Sequence, residues 1–457
     1  MTKVITYGTF DLFHQGHYNL LKHAKELGDY LIVGITTEQY DKARGKLNVV
    51  DSLIKRIDNV RATGFADEIV IEDHSGQKIE DIQKFGVDIF TVGSDWVGAF
   101  DYIEPYCKVV YLPRTKDVSS TEKRTDRSPV VQIGIVGTGR VAQRFPKEIK
   151  LVSGANAIGV FNPHYNHAKP FMEEHELAFW SNDYDEFLSK VDAVYIASPH
   201  ETHYEYAKRA ILANKHVLCE KPMVFKKAQA EELFELAKKH GVVLMEAIKT
   251  AYCPGFNQLV NVARSGIIGD ICDVEASFSR LTEDGKRETE DLKYGGAFTE
   301  FGSYCLMAII KLLGKDYKSV SFESVKMPNG LDGYTKANIS YDNAIATAKN
   351  GVKVKTEGCL IIAGTKGYIF APSPWWLTKY FEVRYEDPTK IDTYSSQYLG
   401  SGMRYEIAEF TKAIGNLRNG GDNASANIYM LTRDESIAIT EIYERFLSQR
   451  DCEKNKL

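Results

Sequence analysis

A chain of 457 residues is longer than a single hydrophobic core serves, so two or three domains are expected. With 44% hydrophobic and 26% charged residues the composition is that of a globular protein, and a net charge of -5 without a long cationic block excludes the electrostatic footprint of a duplex nucleic-acid binder. Seven cysteines (Cys107, Cys219, Cys253, Cys272, Cys305, Cys359, Cys452) are scattered without a CxxC pair, and no apolar run approaches a membrane span, so a reduced, cytoplasmic protein with no membrane partner is expected.

Residues 3–7 and 30–36 are β-rich runs on either side of a helical pattern from Tyr18 to Leu27, which makes a βαβ unit. Further strands are predicted at 68–71, 88–92 and 108–112 with helical stretches between them, the pattern of a small parallel sheet. The charged stretch from Glu122 to Pro129 marks a boundary. From 131 to about 250 the strands VQIGIV, AIGVF, AVYIAS, HVLCE and VVLMEA alternate with helices, and a second doubly wound fold follows. After about 255 the β-rich segments are interrupted by helices near 297–313 and 404–417, which suggests an α+β arrangement on a largely antiparallel sheet. A last charged helix, roughly 430–448, is expected on an outer face. The fold class is therefore α/β: a Rossmann-like parallel sheet (1–126), a dinucleotide-binding Rossmann domain (130–250) and an α+β domain for substrate and oligomer contacts (251–457).

The segment Gly8-Thr9-Phe10-Asp11-Leu12-Phe13-His14-Gln15-Gly16-His17 follows the first strand and opens a helix, where unpaired N–H groups and the positive end of the dipole attract phosphate. Gly16 leaves room for one phosphate to approach both His14 and His17, which can donate to the charge that builds up when an α-phosphate is attacked. A lone His-x-x-His is as often an accident as a site, but the whole string GTFDLFHQGH is far more specific. It resembles the cytidylyltransferase branch of the nucleotidyltransferase superfamily, the glycerol-3-phosphate cytidylyltransferases in particular. The resemblance runs over residues 3–122 and includes VGSDWVGAFDY (92–102) and YLPRTKDVSST (111–121).

This resemblance implies that CTP and a polyol phosphate give a CDP-polyol and pyrophosphate, with Mg²⁺ sharing the charge neutralisation. His14 and His17 would be catalytic, and Arg114, Ser119, Ser120 and Thr121 would bind the CTP phosphates. Gly8, Thr9, Phe10, Asp11 and Gly16 would line the nucleotide pocket, with Lys42, Arg44 or Lys46 reaching the phosphates from a loop. Two positions depart from the family pattern: Asp117 stands where glycine is usual, and Gly64 where an arginine is common, with Arg61 nearby as a substitute. A domain that keeps the fold without activity is the alternative.

In the second half, Gly134 to Ala142 reads G-x-G-x-x-A between a strand and a helix. Gly137 permits the tight turn, Gly139 admits the pyrophosphate and Ala142 allows helix to pack on strand; Thr138, Arg140 and Val141 complete the cofactor loop. At the end of the following strand, Asn162 and His164 stand where an acidic residue would bond the ribose 2′-hydroxyl, so the cofactor is NADP or NAD with a tilt towards NADPH. The segment AVYIASPHETHYEYAKRAILANKHVLCEKP (193–222) is similar to the Gfo/Idh/MocA oxidoreductases, a likeness that covers about 130–450.

That family places the EKP lysine, here Lys221 between Glu220 and Pro222, beside the nicotinamide and the substrate hydroxyl. Ser198, Pro199, His200 and His203 follow a strand end and are expected to contact cofactor, although satisfied structural histidines are equally compatible. The family often has Asp-x-x-x-His on a helix after a glycine pair. Here GGAFTEFGSYCL supplies Glu300 and Tyr304, which share a helix face, and this resembles the dihydrodiol dehydrogenase branch. A tyrosine ionises near pH ~10, so acid/base use needs a cation such as Lys221; core packing is the alternative for Tyr304. Lys249 and Tyr252 are expected in the same cleft.

Together these readings give a bifunctional enzyme whose partners are CTP, a polyol phosphate and a ketose phosphate. The reductase would make the polyol phosphate that the transferase activates, with glycerol 3-phosphate and ribitol 5-phosphate as leading candidates and teichoic-acid-like or capsular polymers as the destination. Alternatively the oxidoreductase acts on the CDP-linked product or an unrelated sugar, or serves as a dinucleotide sensor without turnover. Both resembled families imply a homo-oligomer.

Overall fold

The protein is described here by a computed structural model covering residues 1–43, 49, 51–74, 76–113, 130–396, 398–418 and 431–454. It divides into two compact units, Met1–Val130 with Leu151–Gly154, and Val131–Lys150 with Ala155–Leu457.

In the first unit the apolar runs become β1 (Lys3–Gly8), β2 (Tyr30–Thr36), β3 (Glu68–Glu72), β4 (Ile89–Gly93) and β5 (Lys108–Leu112). They form one parallel sheet in the order β3-β2-β1-β4-β5. Its central strands are apolar on both sides because helices cover both faces. Val4, Leu31 and Val33 pack with Leu21 and Ala24 of the helix Gln15–Glu26 and with Val60 of the helix Leu53–Arg61. Ile5, Ile32 and Phe90 pack on the other face with Ile82 of the helix Gln77–Phe85.

The second unit opens with β6 (Val131–Val136), β7 (Ala155–Phe161), β8 (Phe179–Ser181), β9 (Ala193–Ile196), β10 (His216–Glu220) and β11 (Leu244–Ala247). These pair in parallel in the order β11-β10-β9-β6-β7-β8. An eight-stranded sheet follows, from β12 (Ile271–Ser279) to β19 (Ile391–Ser395), antiparallel throughout except where β12 runs parallel to β15 (Ile345–Gly351). The apolar helix Ala297–Leu313 covers this sheet.

Two elements differ from the sequence expectation. The helix after the glycine loop is split into a 3₁₀ turn, Ala142–Arg144, and a short helix, Phe145–Ile149. Pro146 lacks the N–H needed to continue a ladder from the preceding turn, so it sits in the first turn of a new helix instead. The final helix runs from Arg433 to Lys454 and is no outer appendage. Ile439, Ile442, Tyr443 and Phe446 are buried, the Tyr443 and Ser303 hydroxyls are hydrogen-bonded at 2.9 Å, and Lys227 Nζ pairs with Glu441 at 2.8 Å. The helix thus joins Ala297–Leu313 to the Rossmann helix Lys227–His240. All seven cysteines are free thiols, and among the described residues no helix is long and apolar enough to cross a membrane.

One buried carboxyl in β11 gives the fold a pH dependence. Burial pushes Glu246 up to about 7 against the pull of the Met223 N–H and the Ser436 hydroxyl, with the Glu220 charge pushing in the same direction as burial. Its folded value lies above the unfolded one, so the cost of ionising it is absent at low pH and grows as pH rises from the unfolded value to about 7. Glu246→Gln is expected to be more stable than the wild type at pH 8, by up to about 3 kcal/mol, and to lose that advantage at pH 4, as read by denaturant titration at both values.

Candidate functional site

In the first unit strand order reverses between β1 and β4, which is where an open parallel sheet leaves a crevice at its carboxyl edge. The loop after β1 lies there, and His14 caps the helix it opens. His14 Nδ1 accepts the backbone N–H of Gly16 at 3.0 Å and of His17 at 3.4 Å. A ring nitrogen that accepts carries no proton, so the neutral ring holds its proton on Nε2 and keeps a donor there. The His17 ring stacks on His14 with centroids 3.8 Å apart, and it is wedged against Phe10 and Phe13.

This loop is strained. Phe10 and Leu12 have φ of 52° and 48°, the left-handed region that side chains of this kind avoid unless the surroundings enforce it. Asp51 enforces it: its carboxylate accepts the Leu12 N–H at 3.1 Å and pairs with Lys55 at 2.6 Å, and its own N–H donates to Asp11 at 2.8 Å. Asp11 is accordingly a buried brace of the loop.

Beneath the loop lies a residue that sequence reasoning missed. Arg56 is wholly buried; its Nη1 donates to the carbonyls of Thr9 at 2.9 Å and Thr36 at 2.8 Å, and its Nε to that of Asp51 at 3.0 Å. It faces Asp41 at 3.6 Å, whose two oxygens accept the hydroxyls of Thr9 at 2.9 Å and Thr36 at 2.6 Å. The signal was present: Arg56 and Val60 are four apart, so the arginine occupies the apolar stripe of its helix. Arg61, the suggested substitute for the family arginine, is exposed and pairs with Asp58 at 3.6 Å. Arg44, Lys46, Arg114, Asp117, Ser119, Ser120 and Thr121, with the side chain of Lys42, lie outside the described residues.

In the second unit order reverses between β6 and β9, and the glycine loop lies at that edge. Gly137 has φ of 99°, and a Cβ on it would stand 2.7 Å from the Ala197 carbonyl oxygen, so only glycine fits. Gly139 faces open space on the side a Cβ would take. Asn162 Nδ2 donates to Thr138 Oγ1 at 2.9 Å, and Asn162 Oδ1 accepts the His164 N–H at 2.9 Å, which ties the end of β7 to the loop. His203 is fully buried with Nε2 on the Ser198 carbonyl and Nδ1 on the Pro222 carbonyl, each at 3.0 Å. It pins the turn after β9 to the end of β10. Ser198 Oγ pairs with Thr202 Oγ1 at 2.7 Å, Pro199 is exposed, and His200 packs on Phe225 with Arg287 at 3.4 Å from its Nδ1.

Lys221, Glu220, Glu300, Tyr304, Arg140 and Lys249 come together on one cavity of about 590 Å³. Lys221 Nζ donates to the Glu300 carbonyl at 2.9 Å and stands 5.4 Å from the centre of the Tyr304 ring. Glu220 accepts the Tyr195 hydroxyl at 2.7 Å, and burial holds its carboxyl above the usual range. The expected activation of Tyr304 by Lys221 is not what the surroundings produce. Burial, then the carboxylates of Glu220, Glu406 and Glu300, push the phenol well above its ordinary value, so it stays protonated. Glu300 is held by Arg287 at 2.5 Å, and Arg140 bonds Glu288 at 2.9 Å. Tyr252 is buried, its hydroxyl donating to the Glu246 carbonyl at 2.9 Å, and it is not among the residues that line the cavity.

Family models match three stretches: cytidylyltransferase-like over residues 5–126, an oxidoreductase family with an NAD-binding Rossmann fold over 131–248, and the GFO/IDH/MocA C-terminal domain over 256–370. The first stretch is 47% identical over 126 residues to a glycerol-3-phosphate cytidylyltransferase of Bacillus spizizenii, 28% of this chain and 97% of that protein. The chain is a cytidylyltransferase joined to a GFO/IDH/MocA oxidoreductase. The oxidoreductase half is 28% identical over 303 residues to a scyllo-inositol 2-dehydrogenase (NADP(+)) of Bacillus subtilis, 62% of this chain and 88% of that protein. In fold it is similar to a 3-ketoreductase from Actinomadura kijaniata in a complex with NADP and TDP-benzene, with TM-score 0.58 and 21% identity over 69% of this chain and 96% of that one. The resemblances read from GTFDLFHQGH and from the EKP segment are borne out, as are the fold class and the presence of two enzymes in one chain.

Two substitutions test the supports of these sites separately. Arg56→Met removes the buried cation that faces Asp41 and bonds the Thr9, Thr36 and Asp51 carbonyls, and is expected to destabilise the transferase by about 3–5 kcal/mol in denaturant titration while the oxidoreductase keeps its activity. Gly137→Ala is expected to abolish dinucleotide binding, followed by fluorescence titration, with CTP turnover unaltered.

Proposed function

We propose that the transferase joins CTP to a polyol phosphate, releasing pyrophosphate and a CDP-polyol of the CDP-glycerol or CDP-ribitol type, and that the oxidoreductase supplies this polyol phosphate by reducing the matching ketose phosphate with NADPH. The observation that carries the coupling is the charge of the oxidoreductase cavity. Arg144, Arg280 and Lys355 line it; Arg280 shares the one Glu288 carboxylate with Arg140, Arg144 pairs with no carboxylate among the described residues, and Lys355 donates only to the Ser279 carbonyl at 3.2 Å. Two of the carboxyls that line it, Glu220 and Glu406, are pushed towards the neutral form by burial. A phosphorylated substrate balances such a surplus of cations. The transferase half, through its likeness to a glycerol-3-phosphate cytidylyltransferase, calls for a polyol phosphate of the same kind.

In the transferase reaction a phosphate oxygen of the polyol phosphate attacks the α-phosphorus of CTP in line, and pyrophosphate leaves. His14, through Nε2–H, and His17 stabilise the charge on the α-phosphate oxygens as they bond it more strongly in the transition state than in the ground state. Mg²⁺ enters with the CTP phosphates; the described residues form no group of three or more His, Cys, Asp or Glu to hold it by themselves.

The glycine loop fits a dinucleotide, because Gly137 closes the turn and Gly139 leaves its side open. No carboxylate stands at the end of β7 to take a ribose 2′-hydroxyl, and the exposed His164 and His167 favour a 2′-phosphate. When bound, NADPH supplies the hydride. Lys221 gives its proton to the carbonyl oxygen, and the protonated Tyr304 hydroxyl orients that oxygen by hydrogen bonding.

His14→Ala or His17→Ala is expected to lower pyrophosphate release by about 10²–10³-fold without altering NADPH oxidation. Lys221→Met is expected to lower ketose phosphate reduction by at least ~10²-fold and to leave CTP turnover alone. Both assays also test the substrates: pyrophosphate release is compared across glycerol, ribitol, erythritol and mannitol phosphates, and NADPH oxidation across the corresponding ketose phosphates. The coupling is wrong if no ketose phosphate is reduced.

A further inference from the structure

Glu406 lies in the first turn of the helix Met403–Arg418 and lines the oxidoreductase cavity. It falls beyond the stretches matched by either oxidoreductase family model. The residue is 1% exposed, and its Oε2 has no hydrogen-bond partner among the described residues. A buried carboxyl oxygen left in that state is costly, and one that also faces a cavity is placed for a ligand to complete it.

The position of Glu406 is fixed from outside the cavity. Glu148, in the helix Phe145–Ile149, holds Arg404 through both carboxylate oxygens, at 2.9 Å to Nε and 3.2 Å to Nη2. The same carboxylate accepts the backbone N–H of Ser401 at 2.9 Å and of Arg404 at 3.2 Å, so the start of the helix is clamped. Gly400, at φ of 59°, gives the chain the turn that brings this clamp together. Lys249, on the cavity wall, donates to the Ser401 carbonyl at 2.7 Å and so secures the same turn from the other side.

The chemistry of the orphan oxygen follows from its neighbours. Burial, then the charge of Glu220, raises the Glu406 carboxyl well above its usual range, with the Lys249 ammonium pulling the other way. A carboxyl that keeps its proton both donates and accepts, and this matches a sugar hydroxyl, which does the same. An ionised carboxylate would accept only and would oppose the phosphate of the substrate.

We propose that Glu406 is the specificity-determining residue of the oxidoreductase cavity, hydrogen-bonding a substrate hydroxyl that is not on the reacting carbon and so selecting polyhydroxylated substrates. The inference rests on the reading of the substrate as a ketose phosphate.

The test is steady-state kinetics of the full chain with NADP(H) in excess. The substrates are ketose phosphates, their analogues each lacking one chain hydroxyl, and the unphosphorylated polyol scyllo-inositol in the oxidative direction. Glu406→Leu is expected to raise KM for the complete substrate by about 10²-fold with kcat changed less than about threefold. Glu406→Gln, which keeps a donor and an acceptor, is expected to stay within about fivefold of the wild type. One deoxy analogue should show no difference between the wild type and Glu406→Leu. Dinucleotide binding reports whether each variant is folded, and Glu406→Asp, which withdraws the carboxyl by one methylene, replaces the leucine variant with the same expectation if that one is not. Equal losses on every analogue, or an unchanged KM, overturn the assignment. Turnover of scyllo-inositol alone, with this same dependence on Glu406, sinks the ketose phosphate reading and upholds Glu406, and a protein that accepts no member of the panel overturns both.

Discussion

In each unit the first strand becomes an interior strand of its parallel sheet: later strands are added on one side, and then the chain crosses back to the other. β1 is flanked by β2 and β4, and β6 by β7 and β9. At that crossing the two neighbouring connections leave the carboxyl edge in opposite directions, and the loop after the first strand lies at the crevice this opens. Everything chemical in this protein is conditioned by what that first loop must do. In one unit it presents a histidine-capped helix start, and in the other a backbone turn that no side chain can enter.

The two loops are supported by opposite means. The histidine loop is strained, and it is held from below by a buried cation that spends its hydrogen bonds on carbonyls at the ends of β1 and β2. The dinucleotide loop relies on the absence of atoms at Gly137 and on contacts that involve no carboxylate, Asn162 to Thr138 and the His203 ring set between two carbonyls. In the oxidoreductase cavity buried carboxyls resist ionisation, and Arg144 and Lys355 pair with no carboxylate among the described residues.

Much of this was legible in the chain. The parallel sheets follow from apolar runs separated by helical periodicity, and Gly137, His14 and His17 announce themselves because their neighbours in sequence are also their neighbours in space. What escaped is what depends on distant partners. Arg56 shares the apolar stripe of its helix with Val60, but the carbonyls and carboxylate that hold it there come from distant segments, and Glu406 reads as one more charge on an amphipathic helix until Glu148, more than two hundred residues earlier, is seen to clamp the adjacent turn. The activation of Tyr304 by Lys221 was an inference from two residues, but burial of the phenol, with the acidic groups around it, decides the outcome. The parallel pairing of β12 with β15 had no local signature either, since both strands look alike in isolation.

The helix Arg433–Lys454 has a bearing on how the protein is made. It carries core residues for the helix Ala297–Leu313 and ion-pairs with the helix Lys227–His240, so the oxidoreductase cannot close its interior until this segment has emerged from the ribosome. The transferase closes its own sheet with β5, more than three hundred residues earlier in translation. A nascent chain therefore holds the sheet of its first enzyme well before the second is assembled, and during that interval the apolar surface of Ala297–Leu313 is the part most in need of a chaperone.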